Sequence, residues 1–158
     1  MMIRAAKDGD ASAISKIWNA EIRKGFATFT TEEKTLPDLK ERILSDPPFL
    51  VADINGVVSG FACAGSFRAG PGYAHCSEIT IYLTRDMQGQ GLGRRLMQGL
   101  EDRLRDQGKH MMVAAISGSN TQALAFHQAI GFQSGGILPQ AGRKHENWLD
   151  LHLLFKHL

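Results

Sequence analysis

Apolar residues recur at helical spacing in several stretches of the chain. Ile14, Ile17, Trp18 and Ile22 fall on one face of a helix that Asp8 or Asp10 is placed to cap and that Gly25 ends. Leu36 to Leu44 predicts a shorter helix, with Pro37 in its first turn and the tetrapeptide SDPP after it. Leu92, Leu96, Leu100 and Leu104 form a leucine stripe closed by Gly108. SNTQALAFHQAIGF predicts a capped helix that stops at Gly131.

Strand patterns fill most of the remainder. Ile3 to Ala5 is a short candidate. FLVADINGVVSGFACAGSF holds two β-rich runs around Asn55-Gly56, which suits a type I′ hairpin turn because both central residues need positive φ. SEITIYLT alternates, with Glu78, Thr80 and Tyr82 on one face and Ile79, Ile81 and Leu83 on the other. KHMMVAAIS reads as a buried strand, and the C-terminal third, with Trp148 to Phe155, reads as two more. FATFTTEEKT (26–35) and RAGPG (68–72) are loops, the first with aromatic anchors. The alternation predicts an α/β (α+β) fold: a mixed central sheet flanked by helices, in one domain over 1–158.

Composition narrows the function classes. At 158 residues the chain suits one sizeable core, with 43% hydrophobic and 22% charged residues. A net charge of +2 argues against a nucleic-acid partner, although Arg94-Arg95 and Arg143-Lys144 can meet a small anion. No apolar run reaches the roughly 20 residues of a membrane span, and the first residues lack the apolar core of a signal peptide. Cys63 and Cys76, with no CxxC, are expected as two buried, reduced thiols of a cytoplasmic protein. The six histidines form no HExxH or paired ligand spacing, so no metal is expected.

The stretch QGQGLGRRL, Gln88 to Leu96, places glycines at 89, 91 and 93 directly before the leucine-striped helix. The dinucleotide fingerprint fails, because its last glycine would fall on Arg94 or Leu96. The P-loop fails as well, since Gly108-Lys109 is followed by histidine. Strand, short loop, glycines and helix remain. The first amides of a helix lack internal partners, the helix dipole favours an anion there, and glycines let a phosphate approach the backbone. The stretch is either a pyrophosphate site gripped by main-chain N–H groups or a plain tight turn.

Gln88-Gly89-Gln90-Gly91-Leu92-Gly93 resembles the Q/R-x-x-G-x-G/A signature of the GNAT N-acetyltransferases. Asn120, Ala123, His127 and Gly131-Phe132 resemble that family's N-x-x-A-x-x-x-Y-x-x-x-G-F segment, with histidine in place of the tyrosine. ADINGVVSGFACAG, SEITIYLT, GKHMMVAAI and LPQAGRKHENWLDL are similar to the phosphinothricin and methionine sulfoximine (sulfone) acetyltransferase branch, across essentially the whole chain. The resemblance implies a GNAT fold, acetyl-CoA as acetyl donor, a small-molecule amine as acceptor, and a homodimer.

It also implies roles for individual residues. Acetyl-CoA would lie along Ile81, Tyr82, Leu83, the turn Gln88, Gly89, Gln90, Gly91, Leu92, Gly93 and Arg94, and Asn120 and His127. The branch carries its catalytic glutamate four residues before a strand tyrosine, as Glu78 stands before Tyr82. Glu78 is thus the candidate general base, with a pKa that partial burial would raise. The Leu83 N–H would face the thioester oxygen where strands splay. His145, in AGRKHENW, either assists the base or is a surface loop residue. His127 protonates the leaving thiolate, donates a hydrogen bond as neutral imidazole, or packs beneath the cofactor without moving a proton. Asn120 either meets the pantetheine arm or caps its helix. Phe29, Arg68 and His75 are candidate acceptor contacts, with Phe29 or Phe26 lining a pocket or only anchoring the loop, and Arg68 meeting a carboxylate or only solvent.

Direct transfer to an amine needs no enzyme nucleophile, so the lack of a Ser/His/Asp or Cys/His motif is no objection. Three readings follow. The first is acetylation of the α-amine of phosphinothricin, methionine sulfoximine or methionine sulfone. The second keeps the fold and takes a polyamine, aminoglycoside or protein N-terminus. The third is a CoA-binding sensor without turnover, for which a retained glutamate would have no use.

Overall fold

The computed structural model describes residues 1–158. Seven strands form one sheet in the order β1-β2-β3-β4-β5-β7-β6. They are β1 (Met2–Ala5), β2 (Phe49–Ile54), β3 (Val57–Ser66), β4 (Cys76–Leu83), β5 (Met111–Ser117), β6 (Gln133–Lys144) and β7 (Asn147–His157). The helices are α1 (Ala11–Lys24), α2 (Leu36–Leu44), α3 (Leu92–Asp106) and α4 (Thr121–Ala129). All neighbouring strands are antiparallel except β4 and β5. The mixed sheet flanked by helices is therefore as the sequence predicts.

Side-chain alternation divides the core between the two faces of the sheet. On one face the α3 stripe of Leu92, Leu96, Leu100 and Leu104 packs on Ala62, Ala64, Ile79 and Met112, with Ile81 and Leu83 beside them. On the other, Ile14, Trp18 and Ile22 of α1 and Leu39 and Ile43 of α2 cover Val51, Phe61 and Cys63, with Tyr82 at the edge. At about 25 cal/mol per Å² of apolar area removed from water, each such leucine or isoleucine contributes roughly 1.5–3 kcal/mol.

The turns take the predicted chemistry. Asn55 and Gly56 have φ of 53° and 85°, as a type I′ hairpin requires. Thr35 caps α2 by accepting the Asp38 N–H, and Asn120 caps α4 by accepting the Ala123 N–H. Gly108, at φ 71°, follows the end of α3, where the Lys109 N–H reaches back to the Leu104 carbonyl.

Two expectations are corrected. Neither aspartate caps α1 with its side chain. Asp10 stands at the N-cap, but its carboxylate accepts from the Arg4 guanidinium at 2.7 and 3.0 Å and from the Lys7 N–H at 2.8 Å, while Asp8 pairs with Lys40. Arg4 also reaches Asp53, so the charge is spent tying β1 to β2. The two thiols also differ. Cys63 is free and fully buried, and burial pushes its pKa up to about 11. Cys76 is free but only partly covered.

The join between β4 and β5 is the feature that positions the site. Only Cys76–Met111, Ser77–Met112 and Glu78–Val113 are paired, and the strands then part. β4 stays paired to β3 as far as Leu83–Gly60. The Thr84 N–H donates to the Ser59 carbonyl in β3. N–H groups alternate sides along a strand, so those of Ile81 and Leu83 point into the gap.

Candidate active site

The chain leaves β4 through a short 3-10 turn, Arg85–Met87, and enters α3 through Gly89 and Gly91, at φ 76° and 77°. Left-handed backbone at both positions is easy only for glycine. The first main-chain bond inside α3 runs from the Arg95 N–H to the Gly91 carbonyl at 3.2 Å. The amides of Leu92, Gly93 and Arg94 thus have no helical partner. A Cβ at Gly89 or Gly91 would meet nothing within 4 Å. The backbone is bare and faces open space, which is what close contact with an anion needs.

This helix start lies in a cleft of about 780 Å³. Ile81, Tyr82 and Leu83 line it from β4, Gln88, Gly89, Gly91, Gly93 and Arg94 from the turn, and Asn120 and His127 from α4. Most residues expected to touch the cofactor thus share one cleft. Gln90 and Leu92 have side chains elsewhere: Gln90 donates to the Asp86 carbonyl, and Leu92 is in the core. Their backbones remain part of the turn. The sequence reading missed Arg85 and Phe126, which also line the cleft. Phe126 packs so closely on Gly93 that a Cβ there would lie 3.2 Å from its ring. The third glycine therefore serves helix packing.

A second cavity of about 410 Å³ adjoins the first. Ala27, Ile81, Tyr82, Asn120, Ala123 and His127 line both, so they mark the passage between them. The second cavity adds Glu78 and Thr80 from β4, Trp18 from α1, and Thr28, Phe29, Thr30 and Lys34 from the loop. That loop is held by the β6–β7 hairpin. The Phe29 ring lies where a Cβ on Gly142 would be, only 2.3 Å from its nearest atom. The Lys144 ammonium, 2% exposed, donates to the Thr28 carbonyl at 2.8 Å. Burial lowers the pKa of Lys144, with Glu21 acting against it.

Glu78 is half-buried on the face covered by α1 and α2. Burial raises its pKa above the ordinary carboxylate value, and Arg42 opposes that shift. Tyr82, four residues on, is pushed up to about 12 by burial and by the charge of Glu21, so its phenol keeps its proton. His127 is 3% exposed. Its Nδ1 lies 2.8 Å from the Ala123 carbonyl, which can only accept, so Nδ1 carries the hydrogen. Burial lowers the pKa of the ring, partly offset by that bond, and Nε2 is buried without a partner. In neutral imidazole of this tautomer Nε2 is an acceptor. With its hydrogen on Nδ1 the neutral ring has none on Nε2 to donate, and burial disfavours a standing imidazolium.

Three candidates lie outside both cavities. His145 sits in the β6–β7 turn at φ 48°, its ring edge-on to Phe26 at 5.8 Å. It reaches the first cleft only through Phe26, which lines it. His75 is exposed, with Nδ1 3.1 Å from the Gly108 carbonyl. Arg68 lines a separate cavity with Ser66, Tyr73, Cys76, Ser77 and Lys109. The loop that carries Arg68 and His75 leaves the sheet at the far end of β3, away from the splay, which spacing alone does not reveal.

A model of the acetyltransferase (GNAT) family matches residues 14–132. This chain belongs to the GNAT family. It is 39% identical over 155 residues to an L-amino acid N-acyltransferase of Escherichia coli, covering 96% of this chain and 90% of that one. It is 36% identical to an L-methionine sulfoximine/L-methionine sulfone acetyltransferase of Salmonella typhimurium, covering 96% and 91%. It is likewise 36% identical to a phosphinothricin N-acetyltransferase of Streptomyces viridochromogenes, covering 94% and 83%. A solved Salmonella typhimurium acetyltransferase with acetyl-CoA matches the fold with a TM-score of 0.94 and 35% identity, covering 100% and 94%. This GNAT chain is accordingly an acetyl-CoA-dependent N-acetyltransferase.

Proposed function

We propose that the chain transfers acetyl from acetyl-CoA to the α-amine of a small amino acid or amino-acid analogue, such as methionine sulfone, methionine sulfoximine or phosphinothricin, by direct attack. One observation carries this reading: a half-buried carboxylate, Glu78, and a bare imidazole nitrogen, His127 Nε2, share a cavity that opens into the cleft at the α3 N-terminus.

The residues present fit acetyl-CoA. The amides of Leu92, Gly93 and Arg94 hold its diphosphate, with Arg85 and Arg94 adding charge. Asn120, its side chain committed to capping, borders the thioester arm. The open N–H groups of Ile81 and Leu83 point where a carbonyl would be polarised and would stabilise developing negative charge. Glu78 takes the proton of the acceptor ammonium, and His127 Nε2 accepts a hydrogen bond from the same nitrogen, aiming its lone pair. As the C–N bond forms and the C–S bond breaks, the nitrogen's second proton passes to His127 Nε2 and from there to the departing thiolate, which leaves as the thiol. Phe29 closes the acceptor cavity. Arg68, His75 and His145 take no part within one copy of the chain.

The expected homodimer rests on the resemblance and on apolar side chains left at the sheet edge. Ile137 and Leu138 of β6 are 51% exposed and Trp148 of β7 is 58% exposed. No helix is long and apolar enough to cross a membrane.

An acceptor panel read by thiol release tests the function. Methionine sulfone, methionine sulfoximine and phosphinothricin should turn over well above polyamines, aminoglycosides and a peptide N-terminus. Preference for a polyamine or aminoglycoside would move the chain to the second reading, and stabilisation by acetyl-CoA with no amine turned over would favour the sensor.

Gly142→Ala should disturb only the acceptor side. The added methyl cannot coexist with the Phe29 ring as placed, so the loop must move. Such overpacking costs about 1–3 kcal/mol of stability. The KM for methionine sulfone should rise several-fold while the acetyl-CoA Kd stays unchanged.

A further inference from the structure

Lys144 is the only lysine among the buried residues, and it takes part in none of the protein's ion pairs. Its ammonium has one hydrogen-bond partner, the Thr28 carbonyl at 2.8 Å. A cation taken out of water without a counterion costs stability, so an apolar side chain of the same length would suit the core better. Packing alone therefore does not account for a lysine at this position.

The strand and the loop are matched residue by residue. Side chains alternate along β6, so Gly142 and Lys144 share its inward face, while Arg143 between them lies outside over the Trp148 ring. Gly142 leaves its backbone bare for the Phe29 ring, and Lys144 takes the carbonyl of the residue before it, Thr28. The loop has no helix or strand of its own before α2. Its far end is fixed by Asn19, which donates to the Lys34 carbonyl at 3.0 Å and accepts the Lys34 N–H at 2.7 Å. Across residues 26–32 the one hydrogen bond to another element is that from Lys144. Those same residues wall both cavities: Phe26 and Ala27 the cofactor cleft, and Ala27, Thr28, Phe29 and Thr30 the acceptor cavity.

We infer that Lys144 is a positioning residue: its buried ammonium, bonded to the Thr28 carbonyl, latches the 26–32 loop against the β6–β7 hairpin and so keeps the acceptor cavity formed. Lys144 lines neither cavity and acts through the backbone. The Thr28 carbonyl and the Phe29 N–H lie in one peptide plane, so fixing the carbonyl fixes the directions in which Thr28 and Phe29 leave it. A charged donor suits the task. Its hydrogen bond is roughly twice as strong as a neutral one, and a segment without secondary structure has little else to resist opening. This inference rests on the proposed acetylation of amino-acid amines and adds what holds their cavity in shape.

The test is Lys144→Met, which keeps an unbranched apolar stem and removes both charge and donor. Chymotrypsin cleavage after Phe26 and Phe29, identified by fragment mass, should become about 10-fold faster or more, with cleavage elsewhere unchanged. KM for methionine sulfone should rise about 10-fold, with kcat changed far less and the acetyl-CoA Kd equal to wild type. Lys144→Arg, which keeps a charged donor, should recover part of both effects. Unchanged cleavage in the loop would mean that the ammonium holds nothing there. Faster cleavage with KM unchanged would mean that the loop's place does not matter to the acceptor. Faster cleavage along the whole chain, with weaker acetyl-CoA binding, would make Lys144 a residue of the fold alone. Each of these three results overturns the proposal. If the wild-type chain acetylates no amine, the functional reading itself fails and takes the positioning role with it, whatever the protease shows.

Discussion

Glu78→Gln should lower turnover of methionine sulfone by ~10²-fold or more at neutral pH and leave acetyl-CoA binding intact. The amide is nearly isosteric, so the cavity keeps its shape and only the proton acceptor is lost. The pH dependence identifies the group. Burial raises the Glu78 pKa above the ordinary carboxylate value and lowers that of His127 below the ordinary imidazole value. Both groups reach their working forms, carboxylate and neutral imidazole, as pH rises. The wild-type profile should therefore rise with pH along an acid limb displaced upward from that of an ordinary carboxylate. The variant should lose the component due to Glu78. The same shift has a stability consequence of definite sign. The folded chain holds the Glu78 proton more tightly than the unfolded chain does. That contribution to stability is fully present below the unfolded pKa and disappears as pH rises through the folded one. Glu78→Gln should remove this cost, so the variant should be at least as stable as wild type at neutral pH. A rate unchanged by the substitution would remove Glu78 from the chemistry.

Gly91→Val should weaken acetyl-CoA binding by about 10²-fold. Gly91 holds φ 77° at the N-cap of α3, which costs an L residue about 1–2 kcal/mol, and a β-branched one is strained further. The new side chain would also project into the open space in front of the helix amides. Strain and blockage act on the same anion. The effect should appear in the Kd measured by titration calorimetry, with the acceptor's KM little changed at saturating acetyl-CoA. A Kd within about threefold of wild type would mean that the diphosphate is held elsewhere.

Much of the framework was legible in the residues because each element there is specified locally. The leucine stripe of α3, the Asn55-Gly56 hairpin and the alternation along β4 each depend on neighbours within a few positions. The glycine turn was legible for the same reason: positive φ and a helix start are local facts. Asp10 was misread because a capping aspartate and one serving Arg4 look alike until β1 is placed beside α1. Arg68 and His75 lie close to Glu78 along the chain, yet the connection between β3 and β4 carries them to the far end of the sheet. Trp18, Lys34 and Arg42 meet only when α1, α2 and the loop between them pack together, so spacing gave no sign of them. Trp18 read as an ordinary core position, and it is one. Lys144 lay in view within AGRKHENW, but its burial and its bond to Thr28 exist only once the β6–β7 hairpin closes on the loop.

The central claim is that the amides at the start of α3 hold the diphosphate so that the acetyl group is presented between His127 and Glu78. A crystal structure with coenzyme A and methionine sulfone tests it most directly. Diphosphate oxygens should lie at about 2.7–3.2 Å from main-chain nitrogens between Gly89 and Arg94. The sulfone's amine should lie within the cavity shared by Glu78 and His127. A diphosphate bound away from that helix start, or an amine on the side of Arg68 and His75, would contradict it.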